Sequence, residues 1–176
     1  MEHDFIIIGT GIAGLSAALK AAEHGEVLIL TKQDSENSNT AWAQGGIACV
    51  VSDADSFQMH IDDTLDAGAG LCDEAVVRTI IEDGPERIRE LIEYGVEFDH
   101  RGDFQQDDAT AHDDEFDPEV LDLGREGGHS RRRILHHRDS TGREIVERLV
   151  AAVEAHPRIQ VLENHFAIDQ CGGLAV

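Results

Sequence analysis

The chain has 176 residues, 41% of them hydrophobic, which suits one globular domain with a sizeable core. Its 36 acidic residues face 14 lysines and arginines, and the formal net charge is −22 at pH 7. This charge disfavours nucleic acid and anionic membranes as partners, because both would be repelled. The acid excess and the preference for arginine over lysine predict a halophilic cytoplasm, where salt screens the repulsion. An ordinary acidic cytoplasmic protein is the alternative.

The first predicted elements form the start of a βαβ unit. Phe5–Ile8 is a short continuous apolar run, the type of strand that is buried on both faces of a parallel sheet. A helix rich in alanine and leucine follows over Gly11–His24, with Gly25 as its stop. Glu26–Leu30 is the second strand.

The apolar run near the start of the chain also resembles a signal peptide or a membrane span. Glu2 and Asp4 precede it where basic residues would be expected, and glycines interrupt it, so we predict neither. The cysteines are widely spaced and form no C-x-x-C pair, which predicts reduced, partly buried thiols at Cys49, Cys72 and Cys171.

Residues 33–46 are polar and rich in glycine, so they are predicted to form a loop. Ser56 is expected to cap a helix over roughly residues 57–67, which the sequence Ala-Gly-Ala-Gly then closes. Asp73 is expected to start another helix. Gly84-Pro85 is predicted to restart that helix at a new angle before it ends at Tyr94-Gly95.

The second half of the chain contains one helix and one strand with clear patterns. Residues 103–122 are highly acidic and lack periodicity, which predicts a solvated loop. Thr141-Gly-Arg-Glu144 has the form of a capping box before an amphipathic helix that ends at Pro157 and places on one face Ile145, Leu149 and Val153. Ile159–Leu162 is the third strand, and residues 167–176 are expected to begin a β-hairpin.

A glycine motif lies between the first strand and the first helix, where a dinucleotide-binding turn is expected. Gly9 would make the turn, Gly11 would let the backbone approach a pyrophosphate, and Gly14 would let the helix pack on the strand. The helix N-terminus adds free N–H groups for the phosphates. Thr31-Lys32 stands where NAD-binding proteins place an acid for the ribose, which argues against NAD. A glycine-rich turn without a ligand is the alternative.

Residues 125–134 read Arg-Glu-Gly-Gly-His-Ser-Arg-Arg-Arg-Ile and form a second motif. Positive charge concentrated in so acidic a chain predicts a site for a small dianion, and Glu126 predicts that this ligand also carries a cationic group. Arg131–Arg133 as a solvated charge run is the alternative. The spacing of the nearby histidines does not match zinc sites, so hydrogen-bonded histidines and no metal are expected at His129, His136 and His137.

Five segments together resemble the L-aspartate oxidases, a family within the succinate dehydrogenase and fumarate reductase flavoprotein superfamily: Gly9–Gly14, Thr31-Lys32, Ser38-Asn39-Thr40, Ala43–Ile47 and Arg125–Ile134. The resemblance implies a Rossmann-like α/β fold with a parallel sheet and FAD as the cofactor. The implied cofactor-binding residues are Gly9, Thr10, Gly11, Ile12, Ala13, Gly14, Thr31, Lys32, Asn39, Thr40, Ala41, Trp42, Ala43, Gln44, Gly45 and Gly46. For Trp42, simple packing is the alternative.

The resemblance also implies how the flavin is held and which reaction follows. Succinate dehydrogenases carry a histidine, covalently bonded to the flavin, at the position of Asn39, so non-covalent FAD is expected here. The implied reaction oxidises L-aspartate to iminosuccinate and reduces oxygen or fumarate, with Glu126 orienting the substrate. This is an early step of NAD biosynthesis, in which quinolinate synthase would act downstream.

Members of this family are much longer than 176 residues. We therefore expect the chain to be the N-terminal part of an FAD-binding domain, incomplete at its C-terminus and without the capping and C-terminal helical domains. Such a part is expected to be inactive alone. A fumarate reductase or succinate dehydrogenase flavoprotein and a non-catalytic nucleotide-binding fragment are the alternative functions.

Overall fold

The computed structural model describes residues 2–102 and 117–169. The predicted α/β class is confirmed, and the chain divides into two compact units, which we call unit 1 (Met1–Trp42 and Ile145–Val176) and unit 2 (Ala43–Glu144). In chain order the described elements are β1 (Phe5–Ile8), α1 (Ile12–Ala21), β2 (Val27–Leu30), β3 (Ile47–Ala48), α2 (Phe57–Ala67), α3 (Glu74–Glu93), β4 (Leu123–Gly124), β5 (Ile134–Leu135), α4 (Thr141–Ala155) and β6 (Ile159–Leu162).

Unit 1 contains a parallel sheet of three strands in the order β1-β2-β6. The two strands that the sequence predicts next to α1 therefore pair as expected, and the third predicted strand joins β2 from the other side. The expectation that β1 is buried on both faces is wrong for the described residues. It is an edge strand, and 64% of Ile6 and 70% of Ile8 are exposed.

The core of unit 1 lies between the central strand and two amphipathic helices. In β2 the alternate residues Val27 and Ile29 are fully buried. The predicted apolar face of α4 is confirmed, because each of its three members is buried: Ile145, Leu149 and Val153. Helix α1 is shorter than predicted, since it ends at Ala21 and a turn leads to Gly25.

The turn from β1 to α1 depends on two glycines. Gly9 has a φ of +103°, a left-handed conformation that strains any residue with a Cβ. Its N–H donates to the Leu30 carbonyl (2.8 Å), which ties the turn to the end of β2. Gly14 is the third residue of α1, and a Cβ there would overlap the Gly9 carbonyl. The predicted close approach of helix to strand is therefore present.

Unit 2 contains a small antiparallel sheet in the order β3-β5-β4. Leu135 in the central strand pairs with Ile47 on one side and Leu123 on the other. None of these strands was predicted, because a strand of two residues is too short to show an alternating pattern. Leu121 is also buried and pairs with His100, so the end of the predicted acidic loop is ordered against its neighbour. Residues 103–116 of that loop lie outside the described residues.

The caps of α2 and α3 are as predicted. Ser56 Oγ accepts from the Met59 N–H (3.2 Å), and Asp73 Oδ1 accepts from the Ala75 and Val76 N–H groups (2.9 and 3.2 Å). Both side chains satisfy donors that the first helical turn leaves without an intrahelical partner.

The prediction that Gly84-Pro85 interrupts α3 is wrong, because one helix runs from Glu74 to Glu93. Proline removes one backbone donor, but the ion pair between Arg87 and Asp83 (3.1 Å) crosses the position. The buried face also continues past it through Ile81, Ile88 and Leu91.

The predicted capping box at the start of α4 is replaced by other contacts. Thr141 is the first helical residue, and its Oγ1 accepts from the His137 N–H (3.0 Å). Glu144 Oε1 accepts from the Glu97 N–H (3.2 Å) instead of closing a box. A motif based on local spacing does not foresee this partner, which lies 47 residues away.

Cys49 and Cys72 are both free thiols. Burial raises the pKa of Cys49 to about 12, so it stays a neutral thiol at physiological pH. Its sulfur packs so closely on α3 that a Cβ at Gly84 would be 3.3 Å away. Cys171 and most of the predicted terminal hairpin lie outside the described residues.

Replacing Gly14 with alanine is expected to destabilise the fold, because the added methyl group meets the Gly9 carbonyl. Overpacking of this kind costs on the order of 1–3 kcal/mol. Thermal unfolding should show a lower midpoint for Gly14→Ala than for the control Gly127→Ala, whose Cβ meets no atom within 4 Å. Equal midpoints for the two variants would contradict the close packing described here.

Candidate functional site

Unit 1 has a cleft of about 450 Å³ at the carboxyl edge of its sheet. Ligands of open parallel sheets bind at this edge, because the loops that follow the strands converge there. The cleft is lined by the ends of β1 and β2, by part of the polar loop after β2 and by the segment after β6: Ile8–Gly11, Leu30–Gln33, Asn37–Thr40, Trp42 and His165–Ala167.

Among the described residues that line this cleft there is no acid, although the chain has 36 acids. Lys32 and His165 contribute basic groups instead. A dianionic pyrophosphate would be repelled by carboxylates in such a site, so the local absence of acids favours a phosphate-bearing ligand.

The start of α1 provides the phosphate-binding geometry. Gly11 is the N-cap, it has no side chain to satisfy the N–H groups of the first turn, and that turn contains no acid. The partial positive charge of the helix N-terminus therefore faces the cleft without compensation by a carboxylate. Thr10 beside it is buried, and its hydroxyl lies 3.4 Å from that of Thr31.

Thr40 connects the polar loop to this turn. Its Oγ1 accepts from the Ile12 N–H (3.1 Å), and a Cβ at Gly11 would lie 3.3 Å from the same oxygen. The beginning of the loop is fixed by Glu163, whose carboxylate accepts from the Ser35 N–H (2.6 Å) and from the Ser35 hydroxyl. These hydrogen bonds lower the pKa of Glu163 and keep it ionised.

The segment after β6 was not predicted as part of the site. The His165 N–H donates to the Thr31 carbonyl (2.9 Å), which places Phe166 at the cleft, with 75% of its surface exposed. The signal was available in the sequence, because a third parallel strand must end at the same edge as the other two.

The cleft includes half of the residues predicted to bind the cofactor: Gly9, Thr10, Gly11, Thr31, Lys32, Asn39, Thr40 and Trp42. Ile12, Ala13 and Gly14 form the first turn of α1 directly behind its lining, and Ala41 lies between two lining residues. The structure does not place Ala43, Gln44, Gly45 and Gly46 in this cleft, since they belong to unit 2.

In unit 2, residues 125–133 form the loop of a hairpin between β4 and β5. The loop opens with a tight turn in which the His129 N–H donates to the Glu126 carbonyl (3.3 Å). Gly128 has a φ of +83°, which is the conformation that the third residue of a type II turn requires. The predicted role of the glycine pair in a tight turn is therefore confirmed.

The turn holds Glu126 beside the Ala-Gln-Gly-Gly segment. A Cβ built on Gly45 would lie 3.3 Å from Glu126 Oε1, so this glycine leaves room for the carboxylate. At Gly46 a Cβ would overlap the Leu135 carbonyl of the central strand. The two sequence motifs thus meet at one point of unit 2, with the exposed Glu126 at their junction.

Of the three consecutive arginines Arg131–Arg133, only Arg133 is buried, with none of its surface exposed. Its Nε and Nη2 donate to the two oxygens of Asp55 (2.7 and 2.8 Å), and its Nη1 donates to Asp63 (2.5 Å). Asp63 also accepts from the N–H and hydroxyl of Ser130 (2.8 and 2.9 Å). The solvated-run alternative is therefore wrong for Arg133, while Arg131 and Arg132 are exposed.

These contacts keep both acids ionised. Burial tends to raise the pKa of each carboxyl, but hydrogen bonds from Ser130 and Arg133 lower the pKa of Asp63 to about 2. Hydrogen bonds from Arg133 and from the Ser56 N–H likewise lower the pKa of Asp55. The hydrogen bond to Asp55 is the main cause that raises the pKa of Arg133. The cluster is therefore a fixed ionic structure at physiological pH.

The three histidines that the sequence predicted to be hydrogen-bonded, His129, His136 and His137, have polar partners. His129 Nδ1 lies 3.2 Å from Arg133 Nη1, and the His129 ring lies against His60 with centroids 5.6 Å apart. Burial and the nearby Arg133 lower the pKa of His60, which keeps its ring neutral. His136 Nδ1 lies 2.9 Å from Asp99, and His137 Nδ1 lies 3.0 Å from the Glu97 carbonyl.

A glycine turn between strand and helix, with an acid-free cleft at the carboxyl edge, defines a dinucleotide-binding α/β protein. The chain belongs to the FAD binding domain family, whose sequence profile matches residues 4–169. FAD is therefore its cofactor.

Similar proteins share most of this chain. It is 50% identical to the chloroplastic L-aspartate oxidase 2-a of Nicotiana tabacum and 46% identical to L-aspartate oxidase 1 of Ralstonia nicotianae. These matches cover 94% and 96% of the chain but only 23% and 29% of the relatives. The E. coli quinol fumarate reductase is similar in structure, with a TM-score of 0.81 and 29% identity over 94% of this chain and 26% of that one.

Among the described helices, none combines the length and the apolar character that a membrane crossing requires.

The contribution of Asp63 to stability is expected to depend on acid pH. Because the pKa of Asp63 is about 2 in the folded protein and its ordinary value is 3.8, the carboxylate stabilises the fold above pH 3.8. This stabilisation is lost as the pH falls through 3.8 towards about 2.

Denaturant unfolding should therefore show that Asp63→Asn is less stable than the native protein above pH 3.8, and that the difference shrinks towards pH 2. Asp62→Asn, which removes an exposed carboxylate from the same helix, is the control. A stability difference for Asp63→Asn that stays constant over this range would show that Asp63 acts through shape and not through charge.

Proposed function

We propose that this chain forms the N-terminal FAD-binding part of an L-aspartate oxidase. The observation that carries the proposal is the position of Glu126 beside Gly45, where the acid of one motif meets the glycine pair of the other. Aspartate would lose the hydrogen at Cα as a hydride and a proton from its nitrogen, and so become iminosuccinate. When bound, FAD supplies the two-electron acceptor for this hydride, and oxygen or fumarate takes the electrons onward.

The cleft of unit 1 fits the nucleotide half of FAD. The glycine turn and the first turn of α1, Thr10–Ala13, would bind the pyrophosphate, because the helix N-terminus carries a partial positive charge and its first turn contains no acid. Thr31 would bind the ribose, and Lys32 would lie close to a phosphate. Residues 39–46 would follow the ribityl chain towards the isoalloxazine ring.

Glu126 would select the substrate through charge. Its carboxylate would pair with the α-ammonium group of aspartate, and succinate offers no such group. The turn fixes the backbone at Glu126, so little backbone freedom would be lost when a ligand binds. The remaining catalytic groups would come from residues outside this chain, since the relatives are three to four times longer.

We also propose which enzyme acts after this one and in which cellular environment the reaction takes place. Iminosuccinate is an unstable product, so an enzyme that consumes it, quinolinate synthase, would act next in NAD biosynthesis. The net charge of −22 supports a cytoplasm of high salt, where ions screen the repulsion between acids.

A fumarate reductase or succinate dehydrogenase flavoprotein is the second candidate. The similarity to quinol fumarate reductase at a TM-score of 0.81 favours it. Two residues favour the oxidase instead, because Glu126 has no cationic partner in succinate and Asn39 cannot bond covalently to a flavin. A non-catalytic nucleotide-binding fragment is the third candidate, and the short length relative to the relatives is its support.

The bound flavin is expected to be non-covalent, because the amide of Asn39 is not a nucleophile that could bond to the ring. After acid precipitation of the FAD-loaded protein, the yellow chromophore should remain in the supernatant. Flavin absorbance that stays in the washed pellet would count against this prediction.

Replacement of Glu126 by glutamine should lower the activity with aspartate much more than the activity with fumarate. The variant keeps the size of the side chain but loses the charge that pairs with an ammonium group. Loss of such a charge-assisted contact costs on the order of 1.5–3 kcal/mol, or roughly tenfold to a hundredfold in kcat/KM for aspartate. Fumarate has no ammonium group, so its reduction should change little.

Both activities are measured in high salt on a longer protein, in which this chain is followed by the capping domain of a relative. Glu119→Gln, which also removes an exposed carboxylate from unit 2, is the matched control and should leave both activities unchanged. An equal loss of both activities in Glu126→Gln would show that Glu126 supports the loop and does not select the substrate.

A further inference from the structure

Unit 2 has a cavity of about 460 Å³ for which the proposed function has no use. Four arginines line it: Arg101, Arg125, Arg131 and Arg132. The acids among its described lining residues are Asp55 and Asp122. The chain has 36 acids and 14 basic residues, so a random surface patch would have the opposite balance. Charge of one sign in a concave site concentrates counter-ions there.

Two of these guanidinium groups are fixed by the backbone. Arg101 Nε donates to the Leu121 carbonyl (3.1 Å), and Arg132 Nε donates to the Leu123 carbonyl (2.9 Å). The two carbonyls are two residues apart in the chain. Each guanidinium group is thus tied to the backbone through its Nε, and its terminal amino groups are the donors that a ligand would use.

The carboxylates in the lining do not neutralise the four arginines. Asp55 is bonded through both oxygens to the buried Arg133. Asp122 lies 4.0 Å from His136 Nε2. Within residues 2–102 and 117–169, none of the four lining arginines forms an ion pair with an acid.

We propose that this cavity binds a compact oxyanion with at least two negative charges, either a phosphate compound or a di- or tricarboxylate. Guanidinium groups bind such ligands through paired N–H donors that match two oxygens at once. Three of the four arginines belong to residues 125–133, the loop that also carries Glu126. If the proposed function holds, occupancy of the cavity would change the electrostatic environment of this loop and so change the KM for aspartate.

Calorimetric titration of the purified, FAD-loaded protein with inorganic pyrophosphate and, separately, with citrate tests the proposal, because bound FAD already fills the pyrophosphate site of unit 1. Sodium chloride is kept at the lowest concentration that maintains the fold, because chloride screens the arginines. We expect saturable binding of at least one anion. The double variant Arg101→Gln/Arg132→Gln should bind it about tenfold to a hundredfold more weakly. Arg78→Gln removes an arginine from the exposed side of α3 and should bind as the native protein does.

Binding of pyrophosphate alone would identify a phosphate ligand, and binding of citrate alone would identify a carboxylate. Absence of binding by both, or equal binding by the double variant, would overturn the proposal. If the double variant unfolds at a lower temperature than the native protein, the single variant Arg131→Gln, at an exposed residue, is titrated instead. Binding equal to that of the native protein would then overturn the proposal. The titration requires no aspartate turnover, so its failure and the failure of the proposed oxidase activity are distinguishable.

Discussion

One buried charge determines the conformation of the loop that carries Glu126. Arg133 is completely removed from solvent, and a guanidinium in that position needs anionic partners, because loss of a partner leaves an uncompensated buried charge. The partners are Asp55, which precedes α2, and Asp63, which lies within α2. The same Asp63 holds Ser130, so several bonds fix one loop against one helix. The tight turn at Glu126 follows directly from this anchored segment.

A different constraint shapes the cleft of unit 1. Three parallel strands end at one edge, and the residues that follow them converge whatever their separation in the chain. Although the chain has a net charge of −22, the described residues that converge here include no acid, and the helix N-terminus retains its positive potential. The fold brings the segments together, and the local composition decides that a phosphate group is favoured there.

The sequence predicted the parts of the fold that have local signals. The strand, glycine turn and helix around Gly9–Gly14 and the caps at Ser56 and Asp73 follow from periodicity and backbone chemistry within a few residues. Long-range contacts were not predictable in this way. The bond between Arg133 and Asp55 joins residues 78 positions apart, and the continuity of α3 through Pro85 depends on the face it buries. The sequence therefore showed the motifs of the site but not how they assemble into a pocket.

The fold alone does not decide between aspartate and a plain dicarboxylate, because flavoproteins with different substrates share it. The chain is 29% identical to a fumarate reductase of very similar structure and about half identical to L-aspartate oxidases. Under the proposed function, two positions would separate these activities. Asn39 offers no nucleophile for a covalent flavin, and the charge of Glu126 would favour a substrate with an ammonium group. The ammonium group of aspartate would give the Glu126 carboxylate a charge-assisted partner, whereas a plain dicarboxylate has no cation to offer it.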